Sequence, residues 1–212
     1  MSVQPDDWTA HSGARVLVLG RSPEVLETVL DELQALGIEA YGSTEPVPRT
    51  HMALRVAVDG TPWLADVGFG GCVLTAPLRL DTTEPQPTQH ETFRVIPFGD
   101  DMLVQAHLGG TWQPLYQLSR EPQLDADYEP ANWFTSTHPG SRFRRNLMVA
   151  RATPDARHTL LNARLTTRTP DGRAERSVLD ADGIEAALRD TFELPVDPDW
   201  RPVIERAAEA GP

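Results

Sequence analysis

Cysteine is nearly missing from this sequence: 212 residues carry one, Cys72. A single thiol excludes an intramolecular disulfide and suits a reducing compartment, so the expected location is the cytoplasm. Long apolar runs are missing as well. No segment approaches the roughly 20 apolar residues of a transmembrane helix. The opening Met1-Ser2-Val3-Gln4-Pro5-Asp6-Asp7 lacks the basic and apolar regions of a signal peptide. Positive charge is scarce, with 19 Lys and Arg against 31 Asp and Glu, a net −12. That balance argues against nucleic acid or an anionic membrane as a partner and reads as a solvated surface. No internal repeat is evident. What remains is ordinary: 40% hydrophobic and 24% charged residues fit a globular chain able to bury a sizeable core.

The most informative stretch runs from Thr50 to Gly71. Met52, Leu54, Val56 and Val58 alternate with Ala53, Arg55 and Ala57, a strand period. Asp59-Gly60 follows, a strong hairpin signal because both central residues of a type I′ turn need positive φ. Trp63, Ala65, Val67 and Phe69 then alternate with Leu64, Asp66 and Gly68. A two-residue loop sets Val58 opposite Thr61, Ala53 opposite Asp66 and His51 opposite Gly68. His51 and Asp66 then become diagonal neighbours on one face, about 7–8 Å apart at the backbone. A three-residue loop would put them on opposite faces.

A carboxylate bonded to one ring nitrogen fixes a histidine's tautomer and stabilises the imidazolium. The other nitrogen is then free to deprotonate a nucleophile. The plain alternative is a structural His–Asp bond on a half-buried sheet, and spacing alone does not choose between them.

Longer motifs do choose. Thr50-His51-Met52, then Asp66-Val67-Gly68-Phe69-Gly70, resembles arylamine N-acetyltransferase. So do Thr75-Ala76-Pro77-Leu78-Arg79-Leu80 and the run Asp127-Tyr128-Glu129-Pro130-Ala131-Asn132-Trp133-Phe134-Thr135-Ser136-Thr137-His138-Pro139. Asn146-Leu147 and Leu160-Leu161-Asn162-Ala163-Arg164-Leu165 continue the likeness, which covers about residues 47–195. The resemblance implies a ping-pong enzyme. Acetyl-coenzyme A acetylates a cysteine, and the thioester passes the acetyl group to an aromatic amine or hydrazine. It implies His51 and Asp66 as catalytic residues and Phe69, Gly70 and Gly71 lining the acetyl and substrate pocket. It sets Thr137 and His138 on the coenzyme side, although a turn is the plain role of His138. Acetyl-coenzyme A is a cosubstrate on this reading, and no permanently bound cofactor is implied.

The chain departs from that family in one respect. The family's cysteine sits well before the histidine, in an Arg-Gly-Gly-x-Cys-x-Glu-x-Asn type motif on a helical first domain. Residues 1–50 contain no cysteine. Cys72 lies six residues after Asp66, past a glycine turn, and is expected to be a bystander. In place of the helical domain, residues 15–20 read as a buried strand. Ser22-Pro23-Glu24 starts a helix, Val25, Leu26, Val29, Leu30, Leu33 and Leu36 form its stripe, and Gly37 ends it. Residues 38–41 make a second strand. This single β-α-β unit is similar to half a Rossmann-like module, but Gly-x-Gly-x-x-Gly is absent. It suggests a fusion or rearranged gene joined near Glu45–Arg49.

The expected fold class is α+β. An antiparallel β-barrel-like domain (47–135) and a small α/β lid (136–212) follow the β-α-β unit (1–46). Strands are expected at Glu91–Ile96, Met102–His107, Thr111–Leu118, Arg144–Ala150, Thr159–Thr166 and Arg173–Leu179. A helix is expected with Asp182 and Glu185 in a capping box and Ile184, Ala187, Leu188 and Phe192 on one face. Residues 1–13 and the tail after about Arg206 read as loosely packed, and Trp133 and Phe134 as core. His90, His107 and His158 lack partners at ligand spacing, so no metal is expected. Arg142, Arg144 and Arg145 could meet coenzyme phosphates or balance nearby acids.

Three readings follow: a family member without its thiol and inactive, a binding protein for coenzyme A or an aromatic ligand, or an enzyme using Cys72 or a partner chain's cysteine. Loss of the helical domain would bare an apolar surface, a route to self-association.

Overall fold

The computed structural model describes residues 51–211 and the backbone of two short strands ahead of them. Those two, β1 (Val16–Leu19) and β2 (Ala40–Ser43), pair in parallel. A parallel pair requires a crossover. The helix expected over 22–37, which would supply it, lies outside the described residues.

Asp59 and Gly60 take φ of 50° and 79°, as a type I′ turn demands. From this turn β3 (Leu54–Val58) and β4 (Thr61–Ala65) diverge antiparallel, with Val58 opposite Thr61 and Leu54 opposite Ala65. The two-residue loop is therefore present, and the register is the expected one. β5 (Leu78–Arg79) adds to the far side of β4, which leaves β3 at the sheet edge. A meander follows: β6 (Gln86–Pro87), β7 (Thr92–Phe98), β8 (Asp101–Leu108) and β9 (Thr111–Leu118). Leu64, Leu78, Phe93 and Val104 are fully buried in one core shared by these two sheets.

The sheets are open. Among the described residues no ladder joins β9 back to β3, so the barrel-like closure expected from the sequence is corrected to separate three- and four-stranded sheets.

Helix α1 (Asp125–Thr137) opens with the Asp127 carboxylate accepting from the Leu124 N–H at 2.8 Å. Trp133 lies on its outer side and is 55% exposed, so it is not the core residue expected. A short α2 (Arg142–Arg145) is capped by the Ser141 hydroxyl, accepting from the Phe143 N–H. It occupies the start of the strand expected at 144–150, which begins later.

The last sheet orders β10 (Met148–Ala152), β11 (Arg157–Leu161), β12 (Arg164–Arg168) and β13 (Ala174–Val178) as an antiparallel meander. The stretch 159–166, expected as one strand, is two, because Asn162 turns the chain at φ 51°. Its side chain accepts from the Leu147 N–H at 3.0 Å. Helix α3 (Ala181–Ala186) is capped by Asp180, accepting from the Gly183 N–H at 2.8 Å, and continues as a π-helical turn, Ala187–Thr191. Asp182 and Glu185 do not form the expected capping box; they pair with Arg201 and Arg189. Helix α4 (Arg201–Ala210) extends through the tail expected to be loose. Its Ile204 and Ala207 are buried with Leu160, Ile184 and Leu188 in a second core. No helix among the described residues is long and apolar enough to cross a membrane.

Candidate active site

The hairpin parity turns His51 and Asp66 toward the same side, just beyond the ends of β3 and β4. His51 Nε2 and Asp66 Oδ2 are 2.7 Å apart. The Asp66 side chain is fully buried, while 28% of the His51 side chain stays accessible. The Gly68 N–H donates to the other carboxylate oxygen, Oδ1, at 2.9 Å. Burial pushes the Asp66 carboxyl up, the largest single influence. The bonds from His51 and Gly68 and the nearby Tyr116 hydroxyl outweigh it, so the carboxyl sits below its ordinary range. An ionised Asp66 is an acceptor only. Nε2 therefore carries a proton, and in the neutral imidazole the lone pair is on Nδ1.

Two aromatic rings close around the imidazole. Phe69 meets it edge-on at 5.1 Å between centroids and Tyr116 at 5.2 Å, and the two rings lie 4.6 Å apart. Tyr116, on β9, has no counterpart in the expected site. It lies fifty residues beyond Asp66 and reaches the site only through the β8–β9 pairing, whose register shifts at Val104/Gln105. Its hydroxyl is shut off from solvent and makes no well-formed hydrogen bond, yet it is close enough to Asp66 for each to influence the other. A buried hydroxyl beside a carboxylate has one favourable orientation, with its proton toward the charge. Burial, then Asp66, raises the Tyr116 pKa far above 10.0.

Gly70 has φ 65° and opens a 3-10 turn, Gly70–Cys72, that carries the chain away from Phe69. A Cβ on Gly71 would stand 2.7 Å from the Thr159 methyl, so the turn is backed closely by β11. The Cys72 sulfur faces Arg168 Nη2 at 3.5 Å, and no hydrogen bond joins it to His51. Arg168 also donates to the Gly71 carbonyl at 3.1 Å and to Glu91 at 2.8 Å. Burial lowers the Arg168 pKa, but Cys72 and Glu91 together raise it further, which secures the charge. Beside it, Arg157 grips both oxygens of Glu91 and donates to the Val73 carbonyl at 2.7 Å.

A mostly apolar cleft of about 290 Å3 opens at the pair, lined by His51, Met52, Leu54, Ala65, Asp66, Val67 and Gly68. A larger groove of about 410 Å3, with Thr82, Val95 and Arg120 in its wall, lies away from it and holds no reactive pair.

Phe69 joins the His51 cluster; Gly70 and Gly71 form the turn behind it. Thr137 and His138 are not brought there by any described contact. His138 stacks on Phe134 at 4.8 Å, accepts from the Gly140 N–H through Nδ1 and ends α1 as a turn residue. His90 and His158 are also taken up away from the pair, bonded to the Thr153 carbonyl and the Thr167 hydroxyl.

A profile of the N-acetyltransferase family matches residues 32–201. It begins inside the segment read as β-α-β, ahead of the junction expected near 45–49. An arylamine N-acetyltransferase of Mycolicibacterium smegmatis is 41% identical over 153 residues, 71% of this chain and 54% of the relative. One from Escherichia coli is 36% identical over 152 residues, 71% of this chain and 54% of that one. The structure of the Mycobacterium marinum enzyme in complex with CoA superposes with a TM-score of 0.72 at 36% identity, covering 79% of this chain and 63% of that one. The chain thus spans about half the length of the relatives it matches. On the profile, the identities and the superposition together, the chain belongs to the arylamine N-acetyltransferase family.

Proposed function

We propose that this chain carries the base half of an acetyl-coenzyme A-dependent acetyl-transfer site for aromatic amines or hydrazines. His51 is the general base and Asp66 its orienting partner. The observation that carries the reading is the 2.7 Å bond between His51 Nε2 and the buried Asp66, which leaves Nδ1 free. A thiol placed at Nδ1 would give up its proton there. The thiolate would attack the acetyl carbonyl, and the coenzyme thiolate would leave with the proton. In the second half, the amine nitrogen would attack the thioester as Nδ1 takes its proton; the carbon–sulfur bond would break, and the departing thiolate would recover that proton from Nδ1.

Phe69, Gly70 and Gly71 would shape the pocket for acetyl group and amine. Thr137 and His138 would serve the coenzyme from further away. The division at 1–46, 47–135 and 136–212 and a cytoplasmic location belong to the same proposal.

The chain alone has no working nucleophile on this reading. Residues 1–50 hold no cysteine, and the Cys72 sulfur is turned to Arg168. The test is acetyl transfer from acetyl-coenzyme A to an aromatic hydrazine, paired with calorimetric titration of coenzyme A. The reading predicts no transfer above the buffer rate. Transfer that disappears in His51→Ala would show that a nucleophile is present after all. Saturable coenzyme A binding without turnover would favour a binding protein.

A further inference from the structure

Arg157 and Arg168 are register partners across β11 and β12, so two like charges stand directly opposite on one sheet face. Such a pair weakens a sheet by itself. Here the Glu91 carboxylate lies between them, taking three contacts from Arg157, at 2.9, 2.8 and 2.7 Å, and one from Arg168 at 2.8 Å. Arg157 and Glu91 are buried, and 26% of the Arg168 side chain is accessible. Two guanidiniums on one carboxylate leave a positive charge in excess. The groups that answer it all belong to the glycine turn: the Gly71 carbonyl at 3.1 Å and the Cys72 sulfur at 3.5 Å from Arg168, and the Val73 carbonyl at 2.7 Å from Arg157. Thr159, two residues along the same face of β11, presses its methyl against Gly71.

The geometry points to Glu91, Arg157 and Arg168 as positioning residues for His51, acting through this turn. The carbonyls at 71 and 73 are held from behind. Gly70, at φ 65°, then fixes where the chain leaves Phe69, and Phe69 lies edge-on to the imidazole. Arg157 reaches Glu91 and the Val73 carbonyl through Nε and Nη2, whereas Arg168 meets the Glu91 oxygen and the Gly71 carbonyl from Nη2 alone, held in place by its planar guanidinium; a lysine ammonium sits on a flexible stem. The cluster therefore sets the imidazole's aromatic wall from the C-terminal sheet. This inference rests on His51 as the base.

The test uses the full chain labelled for NMR. Its two readouts are the Phe69–His51 ring cross-peaks and the rate at which diethyl pyrocarbonate acylates His51, located by mass spectrometry. Arg168→Lys is expected to keep a cooperative melt, lose the cross-peaks and acylate His51 several-fold faster. Phe69→Leu should reproduce the faster rate with the charged cluster intact. Gly71→Ala pushes the turn off Thr159 without touching a charge, and should give the same phenotype even if Arg168→Lys does not fold. Variants that melt lower but keep wild-type cross-peaks and rate would overturn the inference and leave the cluster a structural ion group. Asp66→Asn separates the two ideas: if it leaves the His51 tautomer unchanged, the base reading fails, whatever the turn variants do.

Discussion

Asp66 uses each carboxylate oxygen for a different task. Oδ1 takes the Gly68 N–H and Oδ2 takes the imidazole. In Asp66→Asn the Gly68 N–H would claim the amide oxygen, so the amide nitrogen would face His51 Nε2. That nitrogen would have to become an acceptor, moving the proton to Nδ1, the atom required as base. Nitrogen-15 shifts of the ring should show the Nε2–H tautomer in the wild type and the Nδ1–H tautomer in the variant; the same tautomer in both would refute the assignment. Because its folded pKa is depressed, the Asp66 carboxylate stabilises the fold above its ordinary pKa of 3.8 and loses that contribution as pH falls through the lower folded value. Tyr116 behaves in the opposite sense. Its raised pKa means the folded chain keeps a proton that the unfolded chain releases above 10.0, so stability declines as pH rises past that value. Tyr116→Phe should flatten the alkaline limb of a denaturation profile, and an unchanged slope there would count against the buried hydroxyl.

At the scale of elements, the hairpin brings the pair together, and Asp59-Gly60 sets its register. Gly60 at φ 79° cannot take a side chain without strain. Gly60→Ala is expected to cost about 1–2 kcal/mol in urea denaturation and to broaden the His51 resonances; a variant as stable as the wild type would mean the turn does not set the register. This hairpin was legible because its signal is local: a two-residue turn, an alternating pattern and a fifteen-residue separation. The β7–β9 meander was legible for the same reason. The Asn162 turn was hidden because Leu160 to Leu165 is mostly apolar and lacks Asn-Gly or Asp-Gly. Helix α4 was hard to read because its run 201–210 offers only Val203 and Ile204 as large apolar residues, its other apolar positions being alanines. Its stability comes from Ile204 and Ala207 packing on α3, and from Arg201 paired with Asp182, Glu185 and Glu205. Tyr116 and the two arginines on Glu91 were beyond reach because only tertiary pairing brings them to the site.

At the largest scale, the sheets are open among the described residues, and one edge is apolar. Met52 just ahead of edge strand β3 and Leu54, Val56 and Val58 along it are each 41–58% exposed, and Val67 beside them is 93% exposed. An apolar row on an edge strand invites association. We expect sedimentation velocity to show concentration-dependent self-association that Val56→Lys reduces; a monomer at all concentrations would mean that this edge is covered in solution. The same region holds His51 and its cleft, so the face expected to associate is the face that would meet a nucleophile. Cys72 stands apart from it, held against Arg168. On the proposed reading His51 is a prepared base, and the one thiol, Cys72, is turned away from it to Arg168. Intact-protein mass spectrometry after incubation with acetyl-coenzyme A tests this most directly. An unmodified chain is expected. An acetyl adduct on Cys72 that is lost in His51→Ala would contradict it.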